Sequence, residues 1–244
     1  MESGRNVSIF QYLRQYRAFI PKLFAMAATL KIDFVSDIAC PWCAVGLGAL
    51  EQALGQLEGQ VTANLHFQPF ELNPNMGPGG QDLSEHLTQK YGSSPEQQAQ
   101  IRANITARGE EVGFKFNPGG RGRVYNTFNA HRLLHWAGVK GPAGSQHALK
   151  RALLEAYQGR AEVVELDAVL WATVASVGLD VNEAQSILAS DTYAQEVRET
   201  EQFYQQAGIH SVPAVIINDK HLISGGQPAA VFEQALRRIA AGEV

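Results

Sequence analysis

The sequence predicts an α/β fold in which a β-α-β unit and an α-β-β-α unit are separated by a long helical insertion. Three observations predict it. An apolar run, Leu30 to Val35, leads directly into Cys40-Pro41-Trp42-Cys43, a pattern of strand, turn and helix start. Strand chemistry returns only at Pro213-Ala214-Val215-Ile216-Ile217-Asn218, with a second short strand close behind it. Between these ends, residues 75–190 carry helical periodicities and loop punctuation but no strong strand pattern.

After the first strand, Ala49, Leu50, Ala53, Leu54 and Leu57 recur at helical spacing, and Gly59 can end that helix. Leu65, Phe67 and Pro69 alternate along a second strand, which ends at Pro69 or lies at an edge because proline cannot donate to a ladder. A β-α-β crossover of this kind makes the two strands parallel. Gly77-Pro78-Gly79-Gly80 and Asn117-Pro118-Gly119-Gly120 read as loops. Leu149, Leu153, Leu154 and Tyr157 mark one amphipathic helix, and Leu166, Val169, Leu170, Val174 and Val177 another. Asn182 followed by Gln185 resembles a capping box opening a third. A helix then ends near Ala207-Gly208, Asn218-Asp219-Lys220 turns the last two strands into a hairpin, and Pro228 opens a final helix with Val231, Phe232, Ala235, Leu236 and Ile239 on its apolar side. This order of elements is that of a thioredoxin-like fold with an inserted helical domain. Residues 28–74 and 191–244 form the thioredoxin-like part, 75–190 the insertion and 1–27 an N-terminal extension.

The two cysteines of the 244-residue chain both lie in the Cys-x-x-Cys. A helix N-terminus presents unpaired N–H groups and the positive end of a dipole, so it stabilises a thiolate on Cys40 and lowers its pKa. Cys40 is therefore the expected nucleophile and Cys43, three residues on along the same helical face, the resolving thiol. Pro41 fits the first turn, where its missing N–H costs no helical hydrogen bond. A purely structural disulfide is disfavoured because so short a loop gains little from cross-linking. Zinc is the stronger competitor, since His131 and His135 stand at i and i+4 like a ligand pair, but the two halves lie most of a domain apart.

At 45% hydrophobic the chain can bury a full core, and 20 basic against 24 acidic residues leave no basic stripe for nucleic acid. No stretch is long and apolar enough to span a bilayer. The first 27 residues carry Arg5, Arg14, Arg17 and Lys22 against Glu2 alone, which suits an amphipathic basic helix better than a secretory leader. The expected location is accordingly the cytoplasm. A homodimer is allowed by these features but not indicated by them.

Five motifs in order give a resemblance to a known family: Asp37-Ile38-Ala39-Cys40-Pro41-Trp42-Cys43, Pro69-Phe70-Glu71-Leu72-Asn73-Pro74, Asn126 to Leu133, Ser211-Val212-Pro213 and Ile223-Ser224-Gly225-Gly226-Gln227. Together they resemble the FrnE-like branch of the DsbA family over about residues 30–240. The resemblance implies a redox-active Cys40–Cys43 pair with no further cofactor, acting on cysteine-containing proteins or small thiols through an unnamed redox partner. It also implies a cis proline, matched by Pro213, that leaves the backbone of Val212 open to an extended substrate chain. Hydroxychromene carboxylate isomerases and kappa-class glutathione transferases share the fold, typically with serine in place of the nucleophilic cysteine. A glutathione-dependent isomerase or transferase is thus the first alternative, with glutathione as co-substrate, and a zinc-binding interaction module the second.

The remaining candidates are weaker. His131 is expected to line the cleft between domains and contact substrate, and Trp42 to stand exposed beside the sulfurs. Asp37 and Glu71 are candidate proton acceptors for Cys43. Gly225 and Gly226 are expected to shape the turn into the last helix.

Overall fold

The computed structural model describes residues 27–244. Apart from Ala27, the expected N-terminal extension lies outside them. Strand β1 (Ala28–Ser36) enters helix α1 (Pro41–Gln56), which returns the chain to β2 (Val61–Pro69). After the insertion come α8 (Ala194–Gln206), β5 (Ala214–Ile217), β6 (His221–Ser224) and α9 (Ala229–Ala240). The sheet order is β2-β1-β5-β6. β1 runs parallel to β2 from Ala28↔Val61 to Ser36↔Pro69, and antiparallel to β5 with Ile32 opposite Ile217. β5 and β6 pair antiparallel, and their turn places Asn218 and Asp219 at φ 51° and 56°. These are the residue types that tolerate the left-handed region a tight hairpin demands.

Alternation along β1 decides what each face of the sheet touches. Leu30, Ile32 and Phe34 join the main core with α1 and α9, whereas Val35 joins Phe70, Tyr204, Ile209 and Ala214 on the opposite face under α8. β2 lies at an edge, as its closing Pro69 requires. The Gln146 side chain covers that edge: it accepts from Phe67 N at 3.0 Å and donates to Phe67 O at 3.0 Å, so one glutamine satisfies the unpaired backbone as a neighbouring strand would.

The insertion holds α2 (Leu83–Tyr91), α3 (Pro95–Glu111), α4 (Phe128–Val139), α5 (Ser145–Leu154), α6 (Asp167–Ser176) and α7 (Val181–Leu188). Two details correct the sequence reading. Gln81–Asp82 (β3) pairs antiparallel with Arg123–Val124 (β4), a two-residue ladder with too few residues for a periodic signature. The cap of α7 is Asp180, whose side chain accepts from Asn182 N and Glu183 N, and not Asn182. A capping box does exist elsewhere, where Ser94 and Gln97 satisfy each other's backbone at the start of α3. α5 runs on into a π-helical turn, Glu155–Gly159.

Candidate active site

β1 delivers the chain to Asp37, and the next three residues form a tight turn in which Cys40 N donates to Asp37 O at 3.2 Å. Cys40 is the N-cap of α1, in extended conformation, and Pro41 is its first helical residue. No acidic side chain occupies that first turn, so no carboxylate on the helix itself competes with a Cys40 thiolate for the dipole. The two thiols are free and unequally placed: Cys40 is 5% exposed and Cys43 is sealed at 0%.

That asymmetry sets opposite ionisation. The Cys43 thiol hydrogen-bonded to Cys40 lowers the Cys40 pKa most, and the backbone N–H groups of Cys43 and Trp42 add to it, against burial and the Asp37 carboxylate. Burial pushes Cys43 well above an ordinary thiol, and the neighbouring Cys40 adds to the rise. Cys40 Sγ lies 3.5 Å from Val212 O. The Val212–Pro213 peptide bond is cis.

Close packing joins these parts. A Cβ on Gly46 would meet Pro213 Cγ at 3.0 Å, and one on Gly226 would lie 3.0 Å from Trp42 O and 3.3 Å from Trp42 Cε3. Gly226 therefore serves close approach, while Gly225, at φ 82°, makes the turn itself. Trp42 is half-buried against Gly226 and not exposed as expected, because α1 needs this contact to seat on the β6–α9 turn.

Asp37 is fully buried and its two oxygens hold the loop together. Oδ1 accepts from Ala39 N at 3.0 Å and Oδ2 from Leu72 N at 2.8 Å. Burial raises its pKa, but the His131 imidazole and these backbone donors outweigh that, so the carboxyl sits below its usual value. A carboxylate so held is a weak proton acceptor. Glu71 is further from the role: it pairs with Arg198, which also reaches Glu201 Oε2 at 2.8 Å and stacks 3.8 Å over the Phe128 ring.

His131 lines the recess between β2 and helices α4 and α5, where the two parts of the fold meet, but it is 2% exposed with Nε2 3.5 Å from Asp37 Oδ1, so it packs against the active-site turn. α4 packs against β2, and a residue one turn before the buried Leu134 must face inward. His135 stacks on Tyr193 at 5.2 Å between ring centroids. The histidine pair is thus not assembled with the cysteines, and among the described residues no group of three or more His, Cys, Asp or Glu is placed to hold a metal ion. No helix among them is long and apolar enough to cross a membrane.

The structure adds residues that sequence reasoning missed. Arg121 donates to Ala39 O and sits 5.0 Å over the Tyr157 ring, and Gln158 donates to Ile38 O at 2.7 Å. Both come from the insertion and grip the turn that presents Cys40. Gln158 lies in the π-helical turn, where an added residue re-aims a side chain. Tyr91, at the end of α2, is largely exposed and close enough for a Cys40 charge to raise its pKa, though burial raises it more. Lys150 is fully buried and influences Cys43. The only sequence signal for any of these was Arg121 beside a Gly-rich loop.

The DSBA-like thioredoxin domain family matches residues 31–237. A crystal structure described as a probable DsbA oxidoreductase from Streptomyces coelicolor is 33% identical and superposes with a TM-score of 0.80, covering 88% of this chain and 91% of that one. A 2-hydroxychromene-2-carboxylate isomerase shares the fold at 15% identity and TM-score 0.62, over 87% and 97% of the two chains. The cytosolic disulfide reductase DsbM from Pseudomonas aeruginosa, with GSH, does so at 16% identity and TM-score 0.56, over 85% and 99%.

Proposed function

Because the chain belongs to the DSBA-like thioredoxin domain family, we propose that it exchanges thiols and disulfides, with Cys40 as nucleophile and Cys43 as resolving thiol. The observation that carries this reading is the unequal placement of the pair, one thiol at the mouth of a helix N-terminus and the other sealed beneath it. The Cys40 thiolate attacks one sulfur of a substrate disulfide. A Cys40–substrate bond forms, and the other substrate sulfur leaves as a thiolate. Cys43 then attacks Cys40 Sγ, the protein disulfide closes and the second substrate thiolate departs, so two electrons have passed from the dithiol to the substrate. The same steps in reverse oxidise a substrate dithiol.

Substrate placement follows from the wall opposite. Val212 O, now accepting from the Cys40 thiol, is the acceptor an extended chain meets beside the reacting sulfur. Trp42, Pro41 and Pro213 give that chain an apolar floor. The presence of both cysteines favours exchange over glutathione-dependent isomerisation, which needs no resolving thiol.

Trapping tests the assignment. The Cys43→Ser protein should accumulate mixed disulfides on non-reducing gels of cell extracts, and Cys40→Ser should form none. Equal adducts in both would remove the distinction between attacking and resolving thiol; conjugation or isomerisation of a glutathione-dependent substrate without insulin reduction would replace the reading altogether.

A further inference from the structure

Thiol exchange accounts for how the sulfurs react but not for which substrates reach them. The segments that frame the active-site turn share one property: residues 38–50, 72–81, 112–128 and 207–217 contain no aspartate or glutamate, in a chain whose 24 acidic residues outnumber its 20 basic ones. Two cations stand against that turn instead. Arg121 donates to Ala39 O, the carbonyl next to Cys40. Lys90, near the end of α2, donates to Leu72 O at 2.8 Å and Asn73 Oδ1 at 2.9 Å, and Leu72 N in turn donates to Asp37 Oδ2.

These acceptors are neutral oxygens, so neither positive charge is cancelled where it is held. Among the described residues neither Arg121 nor Lys90 takes part in an ion pair. The carboxylates of the neighbourhood are engaged elsewhere. Asp37 is buried and holds Ala39 N and Leu72 N, Asp82 caps α2 through Ser84 N and Glu85 N, Glu165 accepts from Gly79 N, and Glu71 pairs with Arg198. Glu85, five positions before Lys90, lies about 140° round the helix from it. The uncancelled charge registers on His86, one turn before Lys90 on the same face: burial first, then Lys90 and Arg121, hold its imidazole below the ordinary pKa. Tyr91 follows Lys90 and is 61% exposed, an aromatic ledge that feels the charges of both Cys40 and Arg121.

We propose that this flank of the site, built from Arg121, Lys90 and Tyr91, selects polypeptide substrates that carry acidic residues beside the reacting cysteine. The proposal rests on the thiol-exchange reading and deepens it. Charge complementarity points to an anionic partner, because two cations without carboxylate partners among the described residues are tied to the turn that presents the nucleophile. The spread of the flank points to a chain and not to a small thiol. Lys90 and Tyr91 come from α2, Arg121 from the loop before β4, and the backbone acceptor Val212 O from the loop before β5. An extended chain that pairs with Val212 O carries its neighbouring side chains across these separate segments. The exposed tyrosine adds apolar area to the same flank. Attraction of this kind acts on encounter more than on the exchange chemistry, and it fades as salt screens it.

The test uses the reduced full chain and short peptides that differ only in having glutamate, serine or lysine on both sides of a single cysteine, each activated as its pyridyl disulfide. Cys40 attacks the peptide sulfur, a Cys40–peptide disulfide forms, and the neutral pyridinethione that leaves gives the rate. Each rate is divided by that peptide's rate with mercaptoethanol, which removes differences in intrinsic reactivity. The glutamate peptide should react at least about tenfold faster than the lysine peptide at low ionic strength, the lower end of electrostatic steering, and the ratio should shrink in about 1 M salt. Lys90→Gln should lower that ratio about two- to fivefold, the worth of one exposed ion pair, and Lys90→Arg should keep it. Equal normalised rates for the two peptides, or a ratio unmoved by Lys90→Gln, would overturn the proposal. So would oxidised glutathione reacting faster than the glutamate peptide and alone being slowed by Lys90→Gln, since the flank would then serve a small acidic thiol. A wild-type protein that releases thione from no peptide would overturn the thiol-exchange reading itself. Should Lys90→Gln fail to fold, the wild-type ratio and its salt dependence decide.

Discussion

Replacing Asp37 by asparagine separates the carboxylate's structural role from its electrostatic one. Asparagine keeps the shape but offers one acceptor oxygen and one NH₂. The structure uses two acceptors, Oδ1 for Ala39 N and Oδ2 for Leu72 N, so either orientation of the amide leaves a buried N–H facing another donor. An orphaned buried N–H costs about 1–3 kcal/mol, and the surviving bond loses its charge assistance, worth about 1 kcal/mol more. A loss of about 2–4 kcal/mol follows, or roughly 5–15 °C in Tm for a domain of this size. The pH sign is fixed by the lowered carboxyl pKa. Stability from such a group is fully present above the unfolded value of about 3.9 and is lost as pH falls through the folded value. The Tm gap between wild type and Asp37→Asn should therefore be flat above about pH 5 and close below about pH 4. Asp37 also raises the Cys40 pKa, so the variant should alkylate with iodoacetamide at lower pH than wild type while melting earlier. Calorimetry and alkylation against pH measure both. A Tm unchanged at pH 7 would show that the turn does not depend on these bonds; a Cys40 titration that rises or stays put would refute the electrostatic account.

Gly226→Ala drives a Cβ to 3.0 Å from Trp42 O, a backbone atom that cannot swing aside, so it should cost about 1–3 kcal/mol and slow insulin reduction; Gly77→Ala, with open space around it, is the control. Wild-type melting and activity in Gly226→Ala would refute the close-approach argument. Arg198→Met leaves two carboxylates, Glu71 and Glu201, buried without their cation. Breaking a buried pair costs about 3–5 kcal/mol, but Arg198 is 45% exposed and water partly substitutes for it, so about 2–4 kcal/mol is expected. Burial already raises the Glu201 pKa, and losing Arg198 raises it further. The folded variant then holds a proton that the unfolded chain releases above about pH 4.3, so its stability falls with rising pH. Urea midpoints at pH 5 and pH 8 that show equal deficits would refute this.

What the sequence made legible was whatever is encoded locally. The strand before Cys40 and the helix after it are contiguous periodicities, and the Asn218-Asp219 turn needs only its own two residues. The placement of Cys40 at a helix N-terminus follows from eight consecutive residues. What stayed hidden depends on pairs far apart in the chain. Nothing near Lys150 marks it as different from Lys140, which is exposed at the end of α4, because only the packing of α5 on β2 buries it. The spacing of His131 and His135 shows which side chains share a helix face but not what that face meets, so the burial of His131 against Asp37 was not legible. Arg121 and Gln158 are separated from the carbonyls they grip by 82 and 120 positions.

These distant contacts bear on what the insertion does. The turn from Asp37 to Cys40 presents three backbone carbonyls and the two Asp37 carboxylate oxygens as acceptors, and the insertion satisfies two of the carbonyls, those of Ile38 and Ala39. A thioredoxin-type sheet alone would leave the Ile38 and Ala39 carbonyls to water. Covering the turn without supplying these two donors would leave each carbonyl buried and unpaired, at a cost of about 1–3 kcal/mol apiece. The insertion is therefore the rear wall of the site: it holds the turn that aims Cys40.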